Sequence, residues 1–409
     1  MSDSIFRRCP YCGANLDVNK CDIVEVEFDK DSVTNNNAQG SSVYRIRTIK
    51  KQGILKKYIP NEKRLERYQC YACNQPLPAG FAMMETKVIA VVGLNRAGKT
   101  HFIGSSLPLA YQRTNLNDFF NGFITDFDAI EETDWLLTNE YLRKMDFDGE
   151  LPATNPLNKY PLFFRVRFKN GYQFLLVLYD LGGEAFMDTS NRSRDAAFLE
   201  WADAVIFTVD PTAMREAGKL PGIDADRWER SGGSLYREVS QVNLLSKIND
   251  IVFRNNYGYC KKHLAVVLTK GDLIYEVPGI SNIQTMNSDS DCCNDQDLAL
   301  SRISTVDFLL KAGEGRIVDI AKQAPSFSFH TISTGRNTER KWVNGFTPIR
   351  VLDPWVVTLS VLGGLQVHYL ENYASPTTLY QPPINSGVPL TNNTQGFGGQ
   401  SCKAPDSSF

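Results

Sequence analysis

Largely apolar runs recur along the chain at residues 88–92, 172–179, 204–209 and 264–268, and 326–332 reads as a further strand. Short runs with little polar alternation fit strands buried on both faces. Residues 161–168 read as a further strand, and Gly171 is the hairpin turn that joins it to 172–179. Between these runs the period lengthens. Leu235, Val239, Val242, Leu245, Ile248 and Val252 recur at helical spacing over 234–253. Helices are also expected over 298–310 and 353–370, and Ile130, Trp135, Leu136 and Leu142 mark an inserted amphipathic helix over 129–145. Strands alternating with helices predict an α/β fold, a mostly parallel sheet covered by helices on both faces. Ahead of it, 21–28 and 43–49 read as strands of a small β unit, separated by an Asn- and Ser-rich loop. From Glu371 onward Pro, Asn, Ser, Gly and Gln dominate, the composition of a disordered tail. The expected division is a small unit over 1–85, a main domain over 86–372 and a tail over 373–409.

The strand at 88–92 changes the picture, because it runs into Gly93-Leu94-Asn95-Arg96-Ala97-Gly98-Lys99-Thr100. This is GxxxxGKT between a strand and a helix, the setting a phosphate-binding loop requires. The glycines let the backbone curl so that its N–H groups point inward at a helix N-terminus, a cradle for anions. Lys99 supplies a point charge for the β- and γ-phosphates, and the Thr100 hydroxyl is placed to hold Mg²⁺. An ordinary glycine turn is the competing reading. Asp180 ends the apolar strand 172–179 and is followed by Leu181-Gly182-Gly183. A carboxylate at such a strand tip reaches Mg²⁺ directly or through water, and the Gly183 N–H can meet a γ-phosphate.

The nine cysteines include two CxxC pairs, Cys9/Cys12 and Cys70/Cys73. Two such turns supply the four thiolates of a tetrahedral Zn²⁺ site. Two unrelated pairs, or a redox dithiol, are the other readings, and the βαβ context of a redox dithiol is missing around them. Cys21 reads as a spare thiol. Thiols in this arrangement suit a reducing, cytoplasmic setting. The opening residues MSDSIFRRCPYC lack the apolar core of a secretion signal, and no apolar stretch reaches the ~18 residues of a membrane span. The formal net charge of −2 gives no general pull toward nucleic acid or membrane. Locally, residues 45–67 carry nine Lys or Arg against two Glu. That stretch is either a solvated face or a surface that docks a protein or nucleic acid.

These motifs resemble those of Ras-like GTPases of the translation-factor-related class, the ADP-ribosylation factors most of all. There the loop recurs as GLxxAGKT and the strand tip as DxGGQ. The resemblance spans about 86–370. It implies that Gly93, Asn95, Arg96, Ala97, Gly98, Lys99, Thr100 and His101 contact the nucleotide. The guanine-reading NKxD motif of that family stands here as Thr269-Lys270-Gly271-Asp272. The Asp272 carboxylate would pair with guanine N1–H and the exocyclic amine, and the Lys270 stem would pack on the ring. Thr in place of Asn is expected to weaken loop bracing. Ser333 and Thr334 sit where the last nucleotide loop falls. A switch threonine closing over Mg²⁺ is assigned to Thr154, with Thr125 and Thr133 as upstream alternatives. The Gln that follows DxGG in the family is Glu184 here, so unaided hydrolysis should be slow. Arg96, Arg192 and Arg194 are candidates for an assisting arginine. The cysteine unit and the stretch Pro348-Ile-Arg-Val-Leu-Asp-Pro-Trp also resemble bacterial double-GTPase proteins of conflict systems.

The expectation is a Mg²⁺-dependent GTP-binding switch with a protein effector or activator. A P-loop ATPase and a non-hydrolysing, GTP-bound zinc-ribbon scaffold are the alternatives.

Overall fold

The computed structural model describes residues 5–28, 44–50, 65–112, 124–137, 161–186, 198–233, 240–254, 262–280, 295–334 and 348–364. Two short strands open it, β1 (Phe6–Arg8) and β2 (Asn15–Asp17), paired antiparallel. A three-stranded antiparallel sheet follows, with β3 (Asp22–Phe28) between β4 (Tyr44–Lys50) and β5 (Glu66–Gln69). The main domain runs β6 (Glu85–Gly93), α1 (Lys99–Gln112), β7 (Ile124–Ala129), α2 (Glu131–Leu136), β8 (Leu162–Phe168), β9 (Gln173–Gly182) and β10 (Ala204–Val209). It continues with α3 (Ala225–Arg230), α4 (Gln241–Asn249), β11 (His263–Leu268), α5 (Asp295–Lys311), α6 (Gly315–Ala321), β12 (Ser326–Thr331) and α7 (Asp353–Leu362).

Seven strands form one sheet in the order β12-β11-β10-β6-β9-β8-β7. The first five are parallel, while β8 and β7 are added antiparallel. The expected α/β architecture is therefore present, and β6 lies at its centre. Alternate residues of each parallel strand enter different cores. Ile89 and Val91 of β6 pack with Phe102, Leu107 and Trp355 from α1 and α7. Ala90 and Val92 face the opposite core with Leu244 and Leu245 of α4 and Ile317 of α6. Stacking of Phe102 on Trp355 at 5.3 Å, with Trp355 Nε1 donating to Ser106 Oγ, locks α7 onto α1.

The cysteine unit shares the second of these cores. Cys9, Tyr11, Leu16 and Val18 pack with Leu175, Val177 and Tyr179 of β9. Tyr179 Oη donates to the Pro10 carbonyl at 2.6 Å, and the Tyr11 ring meets Phe163 edge-on. Gly13, at φ 76°, lies so close to Trp201 that a Cβ there would fall inside the indole ring.

Several elements depart from the periodicity. Strand β7 was not expected, because a bulge between Ile124 and Asp126 breaks its alternation. The helix expected over 129–145 starts at Glu131, after that strand, and is described only to residue 137. Of the helix expected over 234–253, residues 234–239 lie outside the described residues; α4 covers Gln241–Asn249 and passes into a π-helical turn, Asp250–Arg254. Helix α7 stops at Leu362 rather than 370, where Gly363 and Gly364 (φ 71°) end it. The expected tail lies outside the described residues. Among the described residues no helix is long and apolar enough to cross a membrane.

Candidate nucleotide and metal sites

The first site forms at the carboxyl ends of β6, β9, β10 and β11, beside the point where connections leave to either side of β6. Such crevices receive ligands in open α/β sheets. Gly93 ends β6 between Gly182 of β9 and Thr208 of β10. A Cβ on Gly93 would stand 2.0 Å from Thr208 Oγ1, so only glycine fits. The loop turns through Arg96 (φ 64°) and Gly98 (φ 77°), and α1 starts at Lys99. Asn95 and Arg96 are exposed, Ala97 is buried and His101 is half-buried on the first helical turn.

The Lys99 side chain curls back over this loop. Its ammonium donates to the Gly93 and Leu94 carbonyls, both at 2.8 Å, and the residue is only 4 % exposed. One residue later, Thr100 Oγ1 donates to Asp180 Oδ2 at 3.1 Å. A cation, a helix N-terminus and a hydroxyl–carboxylate pair thus meet at one corner. That is the donor set of a Mg²⁺–phosphate group, a cation and N–H groups for the anion and hard oxygens for the metal.

Strand β9 carries Asp180 through to Gly182, and Gly183 begins a 3₁₀ turn to Phe186 that includes Glu184. A Cβ on Gly183 would lie 2.4 Å from Leu244 Cδ2 and 2.8 Å from the Gly93 carbonyl. The strand-tip turn is therefore packed directly on the phosphate loop. Thr154, Arg192 and Arg194 lie outside the described residues. The two alternative threonines are engaged elsewhere. Thr125 is exposed on the edge strand β7, where its hydroxyl donates to Arg167 O, and buried Thr133 accepts from Phe163 N at 2.6 Å.

On the other side of the loop, Thr269 follows β11. Its hydroxyl lies 2.9 Å from Ala97 O and 3.1 Å from Val209 O. The threonine hydroxyl thus ties this loop to the phosphate loop, because β11 brings the backbones close. Lys270 adopts φ 53° and donates its ammonium to Asp210 Oδ2 at 2.8 Å. Asp272 is shared between two partners. Ser333 Oγ donates to Oδ1 at 3.0 Å, and Arg227 Nη2 donates to Oδ2 at 2.9 Å. Burial pushes the Asp272 pKa up, and the Arg227 charge opposes that. Thr334 is half-buried beside Ser333, which bridges to Ile349 through the backbone.

Arg227 and Asp210 were not singled out from the sequence. The Asp224 N-cap, whose carboxylate accepts from Arg227 N, marks a helix start. Nothing local signals that this helix faces Asp272, which is 45 residues away in sequence.

The second site is the four-cysteine group. The Sγ atoms of Cys9, Cys12, Cys70 and Cys73 all lie within 4.8 Å of one another. Cys9 and Cys73 are 3.8 Å apart, as are Cys12 and Cys70. Two sulfurs bound at about 2.3 Å to one tetrahedral ion stand about 3.8 Å apart, so the group fits such an ion. Positive-φ residues follow each pair, Gly13 (φ 76°) and Asn74 (φ 59°), and turn both knuckles the same way. Cys21 is buried nearby but outside this group, donating to Asp17 O. Of the basic stretch, Arg47 pairs with Glu27 and Arg67 is buried, while 51–64 lie outside the described residues.

Residues 87–325 match the family model Double-GTPase 2. No curated protein matches the chain. Among solved structures it is similar to the GTPase-like domain of S. cerevisiae Ski7 bound to GTP, at 14 % identity over 69 % of this chain and 51 % of that one, TM-score 0.32. It is also similar to bacterial selenocysteine-specific elongation factor EF-Sec, at 12 % identity over 69 % of this chain and 30 % of that one, TM-score 0.27. Era of Aquifex aeolicus, bound to GDP and aluminium fluoride, is similar at 15 % identity over 70 % of this chain and 57 % of that one, TM-score 0.24. The chain thus spans between about a third and three fifths of these structures' lengths.

Proposed function

The chain belongs to the Double-GTPase 2 family, and we propose that it is a GTP-binding molecular switch with slow Mg²⁺-dependent hydrolysis and a zinc-ribbon docking unit. The observation that carries this reading is the junction at Thr269, whose hydroxyl reaches Ala97 O and joins the phosphate loop to the TKGD loop. Lys99 would move from the Gly93 and Leu94 carbonyls to the β- and γ-phosphates. Thr100 and Asp180 would hold Mg²⁺ directly or through water. The Gly183 N–H would meet the γ-phosphate, and Thr154 would close from the other side. Asp272 would pair with guanine N1–H and the exocyclic amine. Adenine presents an acceptor at N1, so the same carboxylate would disfavour it.

The GTP-ordered elements would be Thr154 and the Gly183 turn, released on hydrolysis. The four cysteines would hold one Zn²⁺, whose role is to fold the knuckles that seat on β9. Single-turnover hydrolysis of GTP by the purified chain tests the reading. A slow Mg²⁺-dependent release of phosphate, accelerated by cell extract, is expected. A chain that binds GTP and never turns it over, with or without extract, is a scaffold instead.

A further inference from the structure

We propose that Arg227 is a positioning residue for base recognition: it keeps the Asp272 carboxylate charged and aimed, so that guanine is read with the help of helix α3. The inference rests on Asp272 being the base-pairing group. Three observations carry it.

First, Asp272 is mostly shielded, with its side chain 21 % exposed, and its two oxygens are held from opposite sides by Ser333 and Arg227. Each carboxylate oxygen has two lone pairs, so both partners can stay while a base donates to the remaining positions. Second, a single segment between β10 and α4 reaches both base-reading side chains. Asp210 takes the Lys270 ammonium, and Arg227 takes Asp272. Third, Arg227 is fixed on its own element. Asp224 caps its backbone N–H, and the adjacent Trp228 is buried against Gly218 and Gly233, where any Cβ would strike the indole. The Arg227 Nε is buried and has no partner among the described residues. Such a donor is costly to leave unmet.

The chemistry sets the direction of the effect. Only an ionised carboxylate accepts from both guanine donors; a protonated one turns a donor toward a donor. Burial already favours the protonated form of Asp272, and Arg227 opposes it. The other groups acting on Asp272 are Ser333 after β12 and Lys270 of its own loop; buried Tyr275 feels the charges of Asp272, Arg350 and Asp353. Lys270 is hydrogen-bonded to Asp210 and acts on Asp272 only through its charge, so Arg227 is the cation in direct contact with the carboxylate.

The test titrates the full chain with a fluorescent GDP analogue between pH 8 and 5.5. The parent should bind with little pH dependence. Arg227→Ala should bind about tenfold more weakly at pH 7, the scale of one lost charge-assisted hydrogen bond, and weaken further as pH falls. Arg227→Lys should recover most of the loss. A ligand-free thermal melt of each variant reports folding. Should Arg227→Ala melt early, Arg227→Gln, which keeps most of the stem, answers the same question. Unchanged affinity in a folded variant overturns the proposal, and so does tighter binding, which would make Arg227 a competitor of the base. Asp272→Asn separates the two readings by measuring preference for xanthine over guanine nucleotides. A shift to xanthine with a silent Arg227→Ala overturns only the role of Arg227. No shift removes the base assignment beneath it.

Discussion

We place Glu184 at the water-positioning position, where one atom type would decide a rate. A water-positioning residue after DxGG must hold water and tolerate the negative γ-phosphate. An amide does both, whereas a carboxylate adds repulsion toward the phosphate, felt more strongly wherever close charges are poorly screened. Glu184→Gln should therefore leave nucleotide affinity nearly unchanged and raise single-turnover hydrolysis about tenfold, equivalent to ~1.4 kcal/mol of barrier. A Gln variant slower than the parent would mean that Glu184 itself orients the water. Lys99 shows how much a single residue reveals before any ligand arrives. Its ammonium is buried on two carbonyls that belong to the same loop. Removing it would leave those acceptors without their cation.

At the scale of elements, β11 and β12 carry a pH-sensitive seam. His263 contacts Ser326 Oγ and Ser328 Oγ, and His330 contacts Ser328 Oγ. Burial holds His263 down to about 3 and His330 well below its ordinary value. An unfolded histidine takes up a proton near pH 6.5, and these folded ones do not. Their contribution is complete above pH 6.5 and declines as pH falls toward 3, by up to about 1.4 kcal/mol per pH unit for each histidine. Asp203, whose pKa is raised by burial, acts with the opposite sign, so the comparison must isolate the histidines. Between pH 7 and 5 urea melts of the parent should lose more stability than those of His263→Gln, and equal slopes would contradict the assignment. The same elements show what the sequence made legible. Strands β10 and β11 read clearly because every residue in them is buried. The phosphate loop and the DLGG turn read clearly because close backbone approach, Gly93 on Thr208 and Gly183 on Gly93, permits only glycine. Strand β7 was hidden by its bulge. Helix α3 was hidden because six residues carry too little periodicity, and with it the Arg227–Asp272 pair, which tertiary packing alone creates.

At the scale of the molecule, the four-cysteine unit and the candidate nucleotide site meet on one strand. Tyr179, which donates to Pro10 O in the first cysteine knuckle, immediately precedes Asp180, which faces Thr100. The Tyr179 ring stacks on Phe198, Phe198 meets Trp201 edge-on, and Trp201 lies under Gly13 and Arg8. Metal analysis should give about one Zn per chain, lost in Cys70→Ser/Cys73→Ser, with a lower melting temperature because the knuckle that covers β9 loosens. A variant that keeps its melting temperature without metal would count against the zinc assignment. The central claim is guanine recognition by the paired loops, and competition measures it most directly. A fluorescent GDP analogue is bound to the full chain in Mg²⁺ and displaced with unlabelled GTP or ATP. Displacement by GTP at micromolar concentration and little by ATP is expected; equal displacement by the two would contradict guanine recognition.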